Sequence, residues 1–108
     1  MHSKMISIAK DFSPTPMGRY ADQHPRSGEF FRDSMLLPAL KEAGEVTVDL
    51  DGTLGYGSSF LEEAFGGLIR KGCRVEDLRK RLHIQSSFAV YKDRVWRYID
   101  EAASRAAR

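Results

Sequence analysis

The chain has 108 residues, 42% hydrophobic, 10% aromatic and 30% charged, an ordinary globular composition with enough apolar side chain to close one core. This length fits a single domain over 1–108 and excludes multi-domain machinery. Lys and Arg number 17 against 15 Asp and Glu, a net +2 that falls short of the excess making nucleic acid a default partner, and the single cysteine, Cys73, excludes a disulfide framework and a multi-thiolate zinc site.

In chain order, Met1 to Lys4 is a ragged start and Met5-Ile6-Ser7-Ile8-Ala9, short and partly β-branched, predicts a first buried strand. From Lys10 to Arg26, Pro14, Pro16, Gly18 and Pro25 break every period and predict a long loop, the kind that tends to be functional or mobile. Ser27 is placed to cap a helix with Phe30, Phe31, Ser34 or Met35, Leu37 and Leu40 at roughly helical spacing. An interior proline costs about 3 kcal/mol or more, so Pro38 predicts a helix ending near Leu37 and a short second turn from Pro38 to Gly44.

Val46-Thr47-Val48-Asp49-Leu50 is the strongest strand signal and ends at the turn-forming Asp51-Gly52. Ser59 and Glu62 have the spacing of a capping box for a helix whose stripe is Leu61, Ala64, Phe65, Leu68 and Ile69, closed by Gly72. A short basic helix, Val75 to Leu82, leads to a third strand over Leu82 to Gln85. Ser86 or Ser87 then caps a last helix with Phe88, Tyr91, Val95, Tyr98, Ile99 and Ala102 on one face. Alternating strands and helices give an α/β fold, a small and mostly parallel sheet with helices packed against it. The loops Lys10–Arg26 and Asp51–Ser59 then share the rim at the strands' carboxyl ends, where ligands bind in such sheets. No apolar run spans a membrane and the start lacks the apolar centre of a signal peptide, so a cytoplasmic location is expected.

The specific signal lies between Val46 and Gly72. Asp49-Leu50-Asp51-Gly52-Thr53-Leu54 after an apolar strand resembles the opening motif of haloacid-dehalogenase-type phosphatases. That resemblance implies Asp49 as nucleophile, Asp51 as acid/base and a magnesium ion between carboxylates. The chain after Leu54 offers no paired acidic motif to complete the site, only the scattered Asp77, Asp93 and Asp100. The alternative is that Asp49 faces outward or pairs locally while Asp51-Gly52 turns the chain.

A strand, a glycine-bearing turn, the pair Ser58-Ser59 and an apolar helix, with Lys10-Asp11-Phe12-Ser13 and Phe30-Phe31-Arg32-Asp33 before them, resemble the STAS domains of bacterial anti-sigma factor antagonists. The likeness spans nearly the whole chain, closest to a STAS-like, uncharacterised bacterial branch and most specific over Gly55 to Gly67. It implies a non-enzymatic, regulatory protein-interaction module, a partner with a histidine-kinase-type ATPase fold, and phosphorylation of one of the paired serines. Well-studied antagonists carry an aspartate before the serines and a glycine after them; here Gly57 and Phe60 stand instead.

If Ser59 is the N-cap, Ser58 lies outside the helix with its hydroxyl free and is the more available target. A phosphate there rests on the positive end of the helix dipole while adding roughly −2 charge to a binding surface. The alternative is that both serines only cap. Tyr56, between Gly55 and Gly57, is either an exposed partner anchor or folds back on the core. Gly66-Gly67 costs about 2 kcal/mol against two alanines, so close packing inside the protein or against a partner should offset it.

Arg70, Lys71, Arg74, Arg79, Lys80 and Arg81 against Glu76 and Asp77 give a local +4, either a patch for nucleic acid or an acidic protein, or a solvated face. There is no helix-turn-helix spacing and no aromatic stacking platform to favour nucleic acid. His2, His24 and His83 lack metal-ligand spacing, and neither a metal nor a cofactor is expected. Cys73 beside Lys71 and Arg74 has the setting of a lowered thiol pKa, without a visible base. Trp96 and Tyr98 read as core and rim, and Arg19, Tyr20 and Arg26 as a weak anion-binding set. Oligomeric state is not legible.

Overall fold

A computed structural model describes residues 2–107. Strands β1 (Ser3–Ser7), β2 (Glu45–Asp49) and β3 (Leu82–Gln85) form one parallel three-stranded sheet in the order β1-β2-β3. Val46 pairs with Lys4 and Leu82, and Val48 with Ile6 and Ile84, so Ile6, Val46, Val48, Leu82 and Ile84 line one buried face. Serine at both ends of β1 shows that strand length here is set by register against β2: the first strand starts at Ser3, within the stretch expected to be ragged, and stops at Ser7.

Ile8 and Ala9, expected in that strand, turn instead into a short π-turn, Ile8–Phe12. The Ser7 hydroxyl accepts from Lys10 N at 3.1 Å and the Asp11 carboxylate from Ser7 N at 2.8 Å, so local side chains capture the backbone before it can extend. Helix α1 covers 28–42 as Gly28–Phe31, a π-turn Arg32–Leu36, and Leu37–Glu42. Ser27 caps it as expected, accepting from Phe30 N at 3.2 Å. Pro38 does not break it. The π-turn ahead of it, with Leu37 N donating to Arg32 O, widens the backbone where a regular turn would drive the ring into a carbonyl.

Helix α2 covers 58–70 and also holds a π-turn, Glu62–Gly66. Gly72, at φ 101°, ends it, with Cys73 N returning to Leu68 O at 3.0 Å. Helix α3 (Val75–Arg81) leads directly into β3, and helix α4 (Ala89–Ala106) closes the fold. Phe88, not either serine, is the N-cap of α4; its ring lies exposed rather than on the buried face with Val95, Ile99 and Ala102.

The sheet advances one way, so crossovers of one hand put every connecting helix on the same side. One core results, with Phe31, Leu36, Phe60, Leu61, Phe65, Leu68 and Ile99 packed on the buried sheet face. The opposite face, with Met5, Glu45, His83 and Gln85 exposed, has no helix over it among the described residues. No described helix is long and apolar enough to cross a membrane.

Candidate functional site

The three segments that leave the carboxyl ends of the strands meet at one rim. Leu54 N donates to Pro14 O at 3.0 Å, joining the loop after β1 to the loop after β2. Asp51 joins the latter to the segment after β3: its carboxylate accepts from Ser87 N and from Ser87 Oγ, both at 2.8 Å. Asp49 Oδ1 accepts from Asp51 N at 2.9 Å. The carboxylates of the phosphatase-like motif thus close a local turn and tie two loops, and no cluster of three or more metal-ligating side chains occurs among the described residues.

The glycines of this loop serve its path. Gly52 (φ 95°) and Gly55 (φ 138°) occupy backbone that side-chain-bearing residues rarely adopt. Tyr56 then turns inward, so of its two readings the core holds and the exposed anchor does not: it is 7% exposed and its hydroxyl donates to Leu50 O at 2.6 Å. Burial pushes its pKa up to about 12. Phe60 is fully buried against Tyr56 and Phe31, so neither Tyr56 nor Phe60 offers contact surface. Of the predicted contact residues the rim exposes Gly57, Ser58 and Ser59, with Leu54 exposed just before them, while Asp51 is half-buried.

The N-cap of α2 is Gly57, which supplies no side-chain cap, so Ser58 and Ser59 both lie in the first helical turn. The expected capping box is absent because the helix starts ahead of Ser59, and the Glu62 carboxylate accepts instead from Arg19 and Arg70. With neither serine capping, the predicted distinction between them disappears. Both sit exposed at the positive end of the helix, and neither hydroxyl has a hydrogen-bond partner among the described residues.

Behind that turn lies a charge cluster that hydropathy patterning passes over. Arg32, 2% exposed, donates from Nη1 to Glu63 Oε2 at 2.6 Å and to Glu63 O at 3.0 Å, and from Nε to Asp33 at 2.9 Å. Arg19 reaches Glu62 at 2.5 Å and Glu63 at 3.1 Å, and Arg70 reaches the same pair at 2.9 and 3.2 Å. Burial alone would raise the Glu62 pKa, but hydrogen bonds from Arg70 and Arg19 outweigh it and hold the carboxyl below its usual range. Arg19 is therefore spoken for and does not join an anion site with Tyr20 and Arg26. The one local signal for the cluster is Gly66-Gly67: a Cβ at Gly67 would come under 3.0 Å from the Arg32 guanidinium, and one at Gly66 would press on Tyr98 O of α4. Packing inside the chain explains the pair.

The basic stretch is largely engaged. Arg70 serves the cluster, Arg74 pairs with Glu76 at 3.7 Å, and Arg79 pairs with Asp100 while lying over Trp96. Arg81 pairs with Asp77 and donates to the carbonyls of Leu40, Ala43 and Gly44, closing the end of α1. Of this stretch, Lys71 and Lys80 are without an ion pair among the described residues, and Arg70 and Arg79 are drawn to carboxylates outside it, on Glu62, Glu63 and Asp100. His83 meets Glu45 at 2.7 Å, and His24 accepts from Arg26 N at 3.1 Å. Burial, with Asp77 nearby, pushes the Cys73 thiol up rather than down.

A one-way parallel sheet under a single helical layer, with its post-strand loops bound into one rim and a serine pair opening the central helix, defines a small two-layered α/β domain. The family described as "STAS-like domain of unknown function (DUF4325)" matches residues 27–87, from the cap of α1 through β3, and the chain belongs to it. No curated protein and no solved structure matches the chain.

Proposed function

We propose that this chain is a non-enzymatic regulatory module that docks a protein partner on its carboxyl rim, centred on Gly57, Ser58 and Ser59. The observation that carries this reading is the serine pair itself: two exposed hydroxyls without partners at the start of a buried, rigidly held helix. A helix start normally recruits such hydroxyls as caps, and here it does not. Membership of a STAS-like family supports a protein-interaction role. The resemblance to anti-sigma factor antagonists points to a histidine-kinase-type ATPase as the partner and to phosphorylation at Ser58 or Ser59 as the control.

A phosphate in the first turn of α2 is tolerated by the helix dipole, so it changes the docking surface without unfolding the domain. The experiment uses the histidine-kinase-type ATPase encoded nearest to this chain. Its affinity should fall on the order of tenfold or more for Ser58→Asp or Ser59→Asp, because a new charge meets a surface shaped for a neutral one. It should be unchanged for His83→Gln on the open sheet face. Equal affinity across all these variants removes the rim as the docking site.

A further inference from the structure

We propose that the cleft between the loop after β2 and the start of α4 is an anchor pocket for one apolar side chain of the partner, carried on a segment flanked by Lys or Arg. This rests on the rim being the docking surface. The cleft encloses about 220 Å³, below the roughly 300–1,000 Å³ of small-molecule sites, a size for a side chain rather than a cofactor. Leu50, Gly52, Gly55 and Tyr91 line it, and Leu54 and Phe88 form its lips.

Those lips are exposed against the hydrophobic effect: Leu54 is 89% accessible and Phe88 62%. Single exposed leucines carry no message, but apolar side chains gathered at one cleft mark a contact surface. They are also held in place. Leu54 N is bonded to Pro14 O at 3.0 Å, Gly55 N to Thr53 Oγ1 at 3.3 Å, and Phe88 N to Ser86 Oγ at 3.0 Å. The Phe88 ring meets Tyr91 edge-on at 6.1 Å, and Tyr91 meets buried Tyr56 edge-on at 5.2 Å, so the wall is anchored in the core. The main chain under both lips and the Phe88 ring are thus set before a partner arrives, and only the Leu54 side chain has to be ordered on binding.

Charge selects the flanking chemistry. Among the described residues Asp51 is the only charged one lining the cleft, and adjoining Asp49 is acidic too. Both carboxylates are bonded to neutral N–H and O–H groups and not to a cation. On a chain of net +2, this is an uncancelled negative spot beside an apolar hole. A lysine or arginine next to the anchoring side chain meets it; an acidic neighbour is repelled.

The test measures fluorescence anisotropy of the full chain with a short labelled peptide bearing one leucine between lysines. Control peptides carry glutamates for the lysines, or serine for the leucine. Saturable binding is expected for the first peptide, weakened about tenfold by either peptide change and by Leu54→Ser or Phe88→Ser, positions exposed enough to leave the fold intact. Absence of saturable binding, equal binding of the glutamate peptide, or affinity unchanged in both lip variants overturns the pocket. If the ATPase responds to Ser58→Asp while the peptide fails, the pocket falls alone. If the peptide behaves as expected while the ATPase ignores the rim, the pocket stands and the ATPase docking proposal falls.

Discussion

Tyr56 stands in a glycine-rich turn, yet its phenol is sealed against Leu50 O and its ring against Phe60 and Tyr91. Its neutral form is the one the fold binds. The stability it gives is complete below the ordinary tyrosine pKa of 10.0 and is lost as pH rises through about 12. Tyr56→Phe should lower stability by about 1–3 kcal/mol, since the Leu50 carbonyl loses its partner, and should lose less of its own stability between those two pH values than the parent chain. Denaturant titrations across that range measure both effects.

Charge at the residue scale works with the opposite sign. Glu62 has a depressed pKa in the fold, so its contribution is present above the ordinary value of 4.5 and is lost as pH falls through the lowered one. Acid unfolding should therefore begin at higher pH in Arg70→Met, which removes a hydrogen-bond donor from Glu62. Arg32 and Glu63 form a buried pair, and breaking it from one side should cost about 3–5 kcal/mol. Thermal or denaturant unfolding of Arg32→Met reads that loss. Neither residue was legible in the sequence: Arg32 follows two phenylalanines, and Glu63 falls inside an apolar stripe. Hydropathy patterning gives a long charged side chain to solvent when its partner is 31 residues away.

At the scale of elements, α3 and β3 were legible almost to the residue, and α2 at its end, where the apolar period stops at Gly72; its N-cap lies two residues ahead of the expected Ser59. The π-turns were not. A π-turn inserts one residue into the helical count and rotates every later side chain about the axis, and nothing in a periodicity of 3.6 announces it. The widened turn lets Pro38 stay within α1, and on α2 it holds the buried Glu63. Glycine contacts give a paired prediction. A Cβ at Gly28 would come under 3.0 Å from backbone Phe60 O, whereas one at Gly57 meets nothing within 4 Å at an ordinary φ of −76°. Gly28→Ala should cost about 1–3 kcal/mol or more by forcing α1 off α2, while Gly57→Ala, which gives up only the preference for glycine over alanine at an N-cap, should cost no more than about 1 kcal/mol. Melting curves of the two variants decide it.

Across the whole molecule, the strand order explains where function can sit. In doubly wound sheets the crevice opens where strand order reverses, and a sheet that advances β1-β2-β3 has no such point. The rim was predicted from the carboxyl-end rule and the loops do converge there, but they close on one another through Asp51–Ser87 and Leu54–Pro14, leaving a surface with one small cleft. The serine pair was legible as a motif. Its freedom from capping was not, because that depends on the helix starting at Ser58 with Gly57 as its N-cap, two residues ahead of the expected cap at Ser59.

The most direct measurement is an amide hydrogen-exchange map of the chain with and without the histidine-kinase-type ATPase. The account predicts new protection over 54–60 and 86–91, with none on β1 or α3. Protection confined to the open sheet face around Met5 and His83, or to Val75–Arg81, would contradict it.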